Sequence, residues 1–264
     1  MSRADHQGNG RLVANSVALI TGASAGLGID FARQLSAKGK QLVLVARRKD
    51  RLDALAAELG HARAIELDLS QAGAVDRLMA DLAAQGEQVE LLVNNAGFGL
   101  TGRFAELDGK RQRQMIDLNC GALTELAHAV LPGMIARKAG AILNVASTAA
   151  FQPGPGMAVY FATKAFVLSF TEALHEEVKR HGVTVSALCP GPTATEFGEV
   201  AGFGPSAMLE KVAADSPSVV RAGLAGLERG KAVIIPGLIN KSTAQAHRFF
   251  PRSWVRKAAG MLKP

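Results

Sequence analysis

Tyr160 and Lys164 bring a phenol and an ammonium group to positions four residues apart. On a helix this spacing places both side chains on one face. An ammonium about 4 Å from a phenol favours the phenolate by up to about 4 kcal/mol at an effective dielectric of about 20. We therefore expect Lys164 to lower the pKa of Tyr160 towards neutrality and make it a general acid or base. Tyr160 is the only tyrosine of the chain, so chemistry that needs a phenol must use it.

Two more polar residues precede this pair. Ser147 ends an apolar run that begins at Ala141. Asn119 lies within a long segment of helical pattern. Asparagine is a mediocre helix former, so its presence there suggests a specific role for the polar side chain. An exposed or capping asparagine is the alternative.

A glycine-rich turn lies between the apolar β-type run Ser16–Thr21 and a helical segment that starts near Ile29. Strand, glycine turn and helix in this order are typical of a dinucleotide-binding unit. The glycines let backbone N–H groups approach a pyrophosphate at the helix N-terminus. The candidate residues of this turn are Gly22, Ser24, Gly26, Leu27 and Gly28.

Strand and helix patterns alternate along the chain. Strand patterns occupy 16–21, 41–45, 64–69, 89–94, 140–147, 183–188 and 232–235, and helical patterns occupy 71–85, 104–138, 157–181 and 216–229. This alternation predicts an α/β single-domain Rossmann fold, a doubly wound parallel sheet of about seven strands with helices on both faces. Ligands of such sheets bind beyond the carboxyl ends of the strands, where Gly22, Asn95, Ser147 and Pro190 fall.

These motifs together resemble the short-chain dehydrogenase/reductase family over about residues 16–236. The resemblance rests on the glycine turn, the Asn94-Asn95-Ala96-Gly97 segment, and Asn119, Ser147, Tyr160 and Lys164. It implies hydride transfer between NADP(H) and a carbonyl or secondary alcohol, with Ser147 polarising the carbonyl and Tyr160 transferring the proton. It also implies that Lys164 holds the nicotinamide ribose, that Asn119 holds a water linked to Lys164, and that Asn94 steadies the sheet. The further cofactor contacts that it implies are Asp68, Leu69, Asn95, Ala96, Gly97, Tyr160, Lys164, Pro190, Gly191, Thr193 and Thr195. For Asp68, a capping role before Ser70 is the alternative.

The second strand ends in two cations, Arg47 and Arg48, where an NAD-specific site usually carries an acid for the ribose 2′-hydroxyl. A cation suits the 2′-phosphate of NADP. We therefore predict NADP(H) rather than NAD(H), with Arg47 as the main contact and Ser24 and Arg48 beside it. The alternative is that 47–51 form a solvated helix start. Ala25 departs from the family pattern, since many NADP-preferring relatives carry a basic residue there.

The segments expected to line a substrate pocket are apolar. They offer Phe98, Phe151, Met157, Phe197 and Phe203, with Leu100 and Met208 nearby and few cations. This composition predicts an apolar or aromatic ketone, aldehyde or secondary alcohol as substrate, unless several of these side chains belong to the core. The glycine-bearing stretch 196–204 is predicted to be a mobile lid.

The net charge of +7 comes mainly from the C-terminal part of the chain. Residues 239–264 hold six basic and no acidic side chains, whereas 17–238 hold 22 of each. A neutral body predicts no nucleic-acid partner. We divide the chain into a flexible N-terminal segment (1–15), a catalytic domain (16–238) and a basic amphipathic C-terminal extension (239–264). In the extension Trp254, Val255, Ala258 and Leu262 share a helical face, which would pack on the domain or on a neighbouring subunit, or make peripheral contact with a membrane.

The remaining sequence features bear on the cellular compartment, metal binding and oligomeric state of the protein. We expect no signal peptide and no membrane span, because no apolar run is long enough. Two cysteines far apart predict a reducing cytoplasm, and scattered histidines predict no metal site. The resemblance implies a homodimer or homotetramer, pairing through the two long helices that hold Asn119 and Tyr160. The alternative function is a non-catalytic NADP(H)-binding redox sensor or interaction protein on the same fold.

Overall fold

A parallel sheet of seven strands forms the centre of the computed structural model, which describes residues 15–202, 213–246 and 250–261. The strands are β1 (Ser16–Thr21), β2 (Gln41–Ala46), β3 (Ala62–Glu66), β4 (Gln88–Asn94), β5 (Gly140–Val145), β6 (Val183–Leu188) and β7 (Val233–Ile234). Their spatial order is β3-β2-β1-β4-β5-β6-β7, and every pairing is parallel. The order reverses between β1 and β4, which opens a crevice at their carboxyl ends.

Helices cover both faces of the sheet. They are α1 (Leu27–Ser36), α2 (Lys49–Leu59), α3 (Ala74–Ala84), α4 (Gly109–Ile116), α5 (Leu123–Arg137), α6 (Ala158–Val178), α7 (Phe197–Ala201), α8 (Ser216–Glu228), α9 (Leu238–Ala246) and α10 (Arg252–Met261). One core layer packs α3, α5 and α6 on the sheet, and the other packs α1, α2 and α8. The predicted single-domain, doubly wound Rossmann fold is confirmed. Among the described residues, no helix has the length and apolarity needed to cross a membrane.

The strands form where apolar residues follow one another without interruption. In β1, Leu19 faces the layer of α5 and α6, whereas Ala18 and Ile20 face the layer of α1. All three side chains are fully buried, as expected for a strand whose alternate residues meet a helix layer on each side. Packing between the two helix layers holds β1 in place, and this positions its carboxyl end and the glycine turn that follows it.

The long helical segment predicted for 104–138 is interrupted in the structure. It begins only at Gly109, because the Asp108 side chain accepts a hydrogen bond from the Lys110 backbone N–H at 2.9 Å and caps the helix there. A π-helical turn, Asp117–Ala122, then separates α4 from α5. The third strand also differs from the prediction: it spans 62–66, so Asp68 lies beyond its end.

Candidate active site

A cleft of about 1360 Å³ opens at the carboxyl ends of the central strands. It exceeds the roughly 300–1000 Å³ of a typical small-molecule pocket, so it has room for a dinucleotide and a second ligand. Most of the predicted site residues line it: Gly22, Ser24, Gly26, Leu27, Arg47, Arg48, Asp68, Leu69, Asn95, Ala96, Gly97, Phe98, Ser147, Met157, Tyr160, Lys164, Pro190, Gly191, Thr193, Thr195 and Phe197. Gly28, Asn119 and Phe151 are not among the lining residues. Phe203 and Met208 lie outside the described residues.

Ser147, Tyr160 and Lys164 meet at the base of this cleft. Tyr160 and Lys164 lie in the first two turns of α6, and both are buried. The Lys164 Nζ donates to the Val145 carbonyl oxygen at 2.8 Å and lies 5.8 Å from the centre of the Tyr160 ring. Ser147 follows β5 and hydrogen-bonds the Tyr160 phenol. The two adjacent elements, β5 and α6, therefore position all three groups.

Burial dominates the acid–base properties of this pair. It raises the pKa of Tyr160 to about 12, although the hydrogen bond with Ser147 acts in the opposite direction. It also lowers the pKa of Lys164 to about 8. The prediction that Lys164 lowers the Tyr160 pKa towards neutrality is therefore wrong for this structure, because loss of water around the phenol outweighs an ammonium that is bound to the Val145 carbonyl. The phenol is protonated at neutral pH, which is the form that a proton donor needs.

Asn119 lies in the π-helical turn and holds the backbone beside Lys164. Its side-chain oxygen accepts from the Phe98 N–H at 3.1 Å, and its amide nitrogen donates to the Phe98 carbonyl at 3.0 Å and to the Thr163 Oγ1 at 3.1 Å. A Cβ added to Gly97 would lie 3.0 Å from the Asn119 Oδ1. Asn119 is thus a buried positioning residue that joins the turn after β4 to α6. Such π-helical turns are frequent at functional sites.

Asn95 fixes the shape of the glycine turn. Its side-chain amide donates to the Thr21 carbonyl at 3.0 Å and to the Gly22 carbonyl at 3.2 Å. Gly22 has a φ of 67°, and a Cβ there would lie 2.9 Å from the Cα of Ala96, so only glycine fits. A Cβ on Gly28 would overlap the Gly22 carbonyl oxygen. Gly28 therefore lets α1 approach the turn from behind, although it does not line the cleft.

Arg48 joins the glycine turn to the segment before α7. Its guanidinium donates to the Ser24 Oγ at 3.2 Å, to the Ser24 carbonyl at 3.1 Å and to the Glu196 carboxylate at 2.9 Å. Arg51 binds the other Glu196 oxygen at 2.5 Å, and these two hydrogen bonds hold the pKa of that carboxyl below its usual range. Arg47 lines the same cleft and is exposed. The role of Glu196 was missed because its partners lie about 150 residues away in the sequence, with no local signal.

Asp68 lines the cleft and also caps a turn. Its Oδ1 accepts from the Ser70 N–H at 3.0 Å and from the Ser70 Oγ at 2.7 Å. Burial raises the pKa of Asp68, but these hydrogen bonds outweigh that effect and keep it below its usual value. The carboxylate is therefore ionised at neutral pH and held in a fixed orientation at the edge of the cleft.

Apolar side chains pack around Tyr160 in one cluster. Phe98 and Met157 are buried, and Phe197 places its ring centre 5.2 Å from that of Tyr160. The Arg111 guanidinium lies 4.2 Å from the centre of the Phe98 ring, a contact that the sequence pattern did not suggest. Phe151 packs with a separate core cluster that includes Leu168. The wall beside the phenol is thus mainly aromatic.

The chain resembles known proteins over most of its length. Residues 16–202 match the family described as short chain dehydrogenase. An NADP-dependent 3-hydroxy acid dehydrogenase from Salmonella typhi is 39% identical over 187 residues, which is 70% of this chain and 75% of that protein. Among solved structures, a short-chain dehydrogenase from Sphingobium yanoikuyae in complex with NADPH has a TM-score of 0.79 and 35% identity, covering 89% of this chain and 94% of that one. A bulky-bulky ketone specific alcohol dehydrogenase from Comamonas testosteroni has a TM-score of 0.75 and 32% identity, with coverages of 89% and 92%. The chain belongs to the short-chain dehydrogenase family.

Proposed function

We propose that this protein is an NADP(H)-dependent oxidoreductase that interconverts the carbonyl and secondary alcohol of an apolar or aromatic small molecule. The observation that carries the proposal is that half-buried Ser147 and buried Tyr160 and Lys164 meet in one cleft that also contains the glycine turn. A phenol with a raised pKa, a hydroxyl beside it and an aromatic wall suit reduction of an uncharged carbonyl.

The cleft fits a nicotinamide dinucleotide. The glycine turn leaves no room for side chains where a pyrophosphate would approach, and α1 begins without a side-chain cap, so its first N–H groups are available to an anion. When bound, the reduced nicotinamide supplies the hydride. Ser147 donates a hydrogen bond to the substrate carbonyl oxygen, and Tyr160 gives its proton to the same oxygen. Lys164 binds the nicotinamide ribose and lies close enough to favour the phenolate that remains. Asn119 positions the backbone beside Lys164 and is linked to it through water.

Two kinds of relative support NADP(H) over NAD(H). The Salmonella relative is named as NADP-dependent, and the Sphingobium structure holds NADPH. In this chain the two cations after β2 line the cleft, and Arg48 contacts Ser24 of the glycine turn. A 2′-phosphate at this place would meet one exposed guanidinium and one that is held against the turn.

Replacing both cations, in the variant Arg47→Ala/Arg48→Ala, is expected to lower kcat/KM with NADPH at least about 100-fold and to leave kcat/KM with NADH within about threefold. Each lost charge-assisted hydrogen bond to the phosphate costs about 1.5–3 kcal/mol, and NADH lacks that group. Steady-state kinetics with both nucleotides measures the change. The matched control is Arg51→Ala, which removes a guanidinium from the same Glu196 without touching the cleft lining. Equal losses with NADPH and NADH would show that the arginines only hold the turn.

The substrate class is tested by following NADPH consumption with a panel of bulky aryl and alkyl ketones, aldehydes and short 3-oxo acids. We expect turnover of the bulky ketones, since Phe98, Met157 and Phe197 offer apolar contact, and weak turnover of the charged acids. The two alternatives correspond to two relatives, the bulky-bulky ketone specific alcohol dehydrogenase from Comamonas and the 3-hydroxy acid dehydrogenase from Salmonella. A preference for the 3-oxo acids would overturn the substrate assignment. NADPH binding without turnover of any compound would favour the redox-sensor alternative.

We also propose an oligomeric state, a cellular compartment and a division of the chain. The protein is a cytoplasmic homodimer or homotetramer in which α5 and α6 contact a second copy. Phe166 of α6 and Ile116 at the end of α4 support this pairing, because these apolar residues are 43% and 42% exposed, and Phe166 stacks on Phe170. Both cysteines, Cys120 and Cys189, are free, which suits a reducing compartment. The segments 1–15, 16–238 and 239–264 keep the division made above. The mass of the protein in solution tests the assembly.

A further inference from the structure

The C-terminal extension exposes large apolar side chains. Leu238 and Ile239 at the start of α9 are 84% and 83% exposed, and Phe250 and Trp254 around the start of α10 are 54% and 65% exposed. These four are half of the eight large apolar side chains that are exposed among the described residues. We call them the C-terminal surface. Such a concentration of exposed apolar side chains marks an interaction site rather than ordinary surface.

The same part of the chain carries only positive charge. No Asp or Glu follows Glu228. The exposed cations among the described residues of α9 and α10 are Lys241, Arg252, Arg256 and Lys257. The partner of this surface is therefore expected to be anionic, and it must also accept aliphatic and aromatic side chains.

Helix α10 separates its apolar and basic residues. Arg252 and Arg256 are four residues apart and form one exposed row, whereas Trp254 and Ala258 form another. Ala259 lines the large cleft, so the inner side of α10 belongs to the wall of the site. A Cβ on Gly260 would lie 3.7 Å from the Pro155 Cγ, which places α10 beside the segment that precedes Tyr160.

Helix α9 is seated equally close to the site. A Cβ on Gly191 would overlap the Asn240 side chain, and the Asn240 amide donates to the Pro236 carbonyl at 2.9 Å. Since Pro190 and Gly191 line the cleft, α9 covers them from outside. The C-terminal surface is thus carried by two helices that contact lining residues of the cleft, α9 at Gly191 and α10 at Pro155.

We propose that the C-terminal surface binds an anionic phospholipid membrane. Amphipathic helices that lie in the membrane interface combine Trp, Phe and Leu with Lys and Arg, as α10 does. Tryptophan also prefers the headgroup level of a bilayer. A nucleic acid offers the required negative charge but no apolar layer for Leu238 and Ile239. A second copy of this chain would bring the same positive charges together.

Membrane binding would determine where the substrate comes from. Because Ala259 lines the cleft and Gly260 lies beside Pro155, a membrane under α10 would lie next to the cleft segment that precedes Tyr160. The substrate would then be a lipid-dissolved carbonyl compound. This second statement rests on the proposed function, whereas membrane binding itself does not.

The test is co-sedimentation of the full-length protein with vesicles, without nucleotide or substrate. Vesicles of phosphatidylcholine alone are compared with equimolar phosphatidylcholine and phosphatidylglycerol. We expect binding to the anionic vesicles that falls when salt is raised, since cations near a charged leaflet are screened within a Debye length. The variant Arg252→Glu/Arg256→Glu is expected to bind at least about 25-fold more weakly, because each removed cation accounts for about fivefold. Trp254→Ser is expected to lose about tenfold or more.

The matched control is Arg77→Glu/Lys110→Glu, which changes the net charge equally at exposed positions outside the extension. It is expected to bind vesicles within about threefold of the unaltered protein. Absence of binding to anionic vesicles at low salt would overturn the proposal. So would equal losses in the control, tighter binding to RNA or DNA than to vesicles, or a change of oligomeric state in Trp254→Ser. Reductase assays of the same variants in detergent-free buffer report separately on the proposed function.

Discussion

Tyr160→Phe is expected to lower kcat for carbonyl reduction by at least about 1000-fold and to leave NADPH affinity within about threefold. General acid catalysis by a positioned side chain contributes about 10²- to 10⁴-fold, and no second tyrosine exists to replace the phenol. The ring of Phe would keep the contacts of Tyr160 with Phe161 and Phe197, so the shape of the site would be retained. Single-turnover kinetics and nucleotide titration separate the two effects.

The matched control for this prediction moves the phenol by one residue. The double variant Tyr160→Phe/Phe161→Tyr restores a tyrosine in the same cleft but about 100° around the helix. We expect no recovery of activity, because Ser147 hydrogen-bonds a phenol only at position 160. Retention of more than about a tenth of kcat in Tyr160→Phe would contradict the assignment of the proton donor.

The fold was predictable from local patterns because the central strands, such as β1, β2 and β6, are buried on both faces. The apolar run from Val17 to Ile20 could form only an interior strand, and the glycine turn after it identified the binding unit. The predicted segment 183–188 agrees with β6, and 216–229 differs from α8 by one residue. The alternation of strand and helix patterns also located the carboxyl ends of the strands, and most of the predicted site residues line the cleft there.

Features that depend on long-range contacts were not predictable. No sequence signal indicates that the side-chain amide of Asn119 binds Phe98 and Thr163. The contact between Arg48 and Glu196 joins segments that are 148 residues apart. Such contacts depend on how the completed sheet brings loops together, which local propensity does not contain.

The predicted lowering of the Tyr160 pKa was wrong because burial, like these contacts, depends on the folded structure. The spacing of Tyr160 and Lys164 was right, since both lie on one side of α6, but spacing says nothing about burial. An ammonium lowers a phenol pKa by attraction, whereas removal of water raises it, and the second effect is larger at this depth. The finding suits carbonyl reduction, because the donor enters the cycle with its proton.

Lys164→Met is expected to stabilise the protein without nucleotide while it lowers kcat/KM at least about 100-fold. Burial lowers the pKa of Lys164 from 10.5 to about 8. Below pH 8 both the folded and the unfolded chain bind this proton, and the folded state bears the full cost of a buried charge, about 3 kcal/mol. Methionine removes that cost and leaves the Val145 carbonyl without its donor, which costs about 1 kcal/mol. The net gain in the free energy of unfolding at about pH 6 is therefore about 2 kcal/mol.

The stability advantage of Lys164→Met is expected to depend on pH. Between pH 8 and 10.5 the unfolded chain binds more protons at this position than the folded chain does, so the stability of the unaltered protein rises with pH through that range. Lys164→Met lacks this rise, and its advantage should disappear near pH 10. Urea unfolding at several pH values measures the difference, with Lys179→Met, an exposed lysine after the end of α6, as the control that changes stability by less than about 0.5 kcal/mol. A destabilised Lys164→Met protein at every pH would mean that the ammonium is stabilised by its surroundings. In that case the protein alone would stabilise the charged form of Lys164, and the bound nucleotide would not be needed to offset the cost of burying that charge.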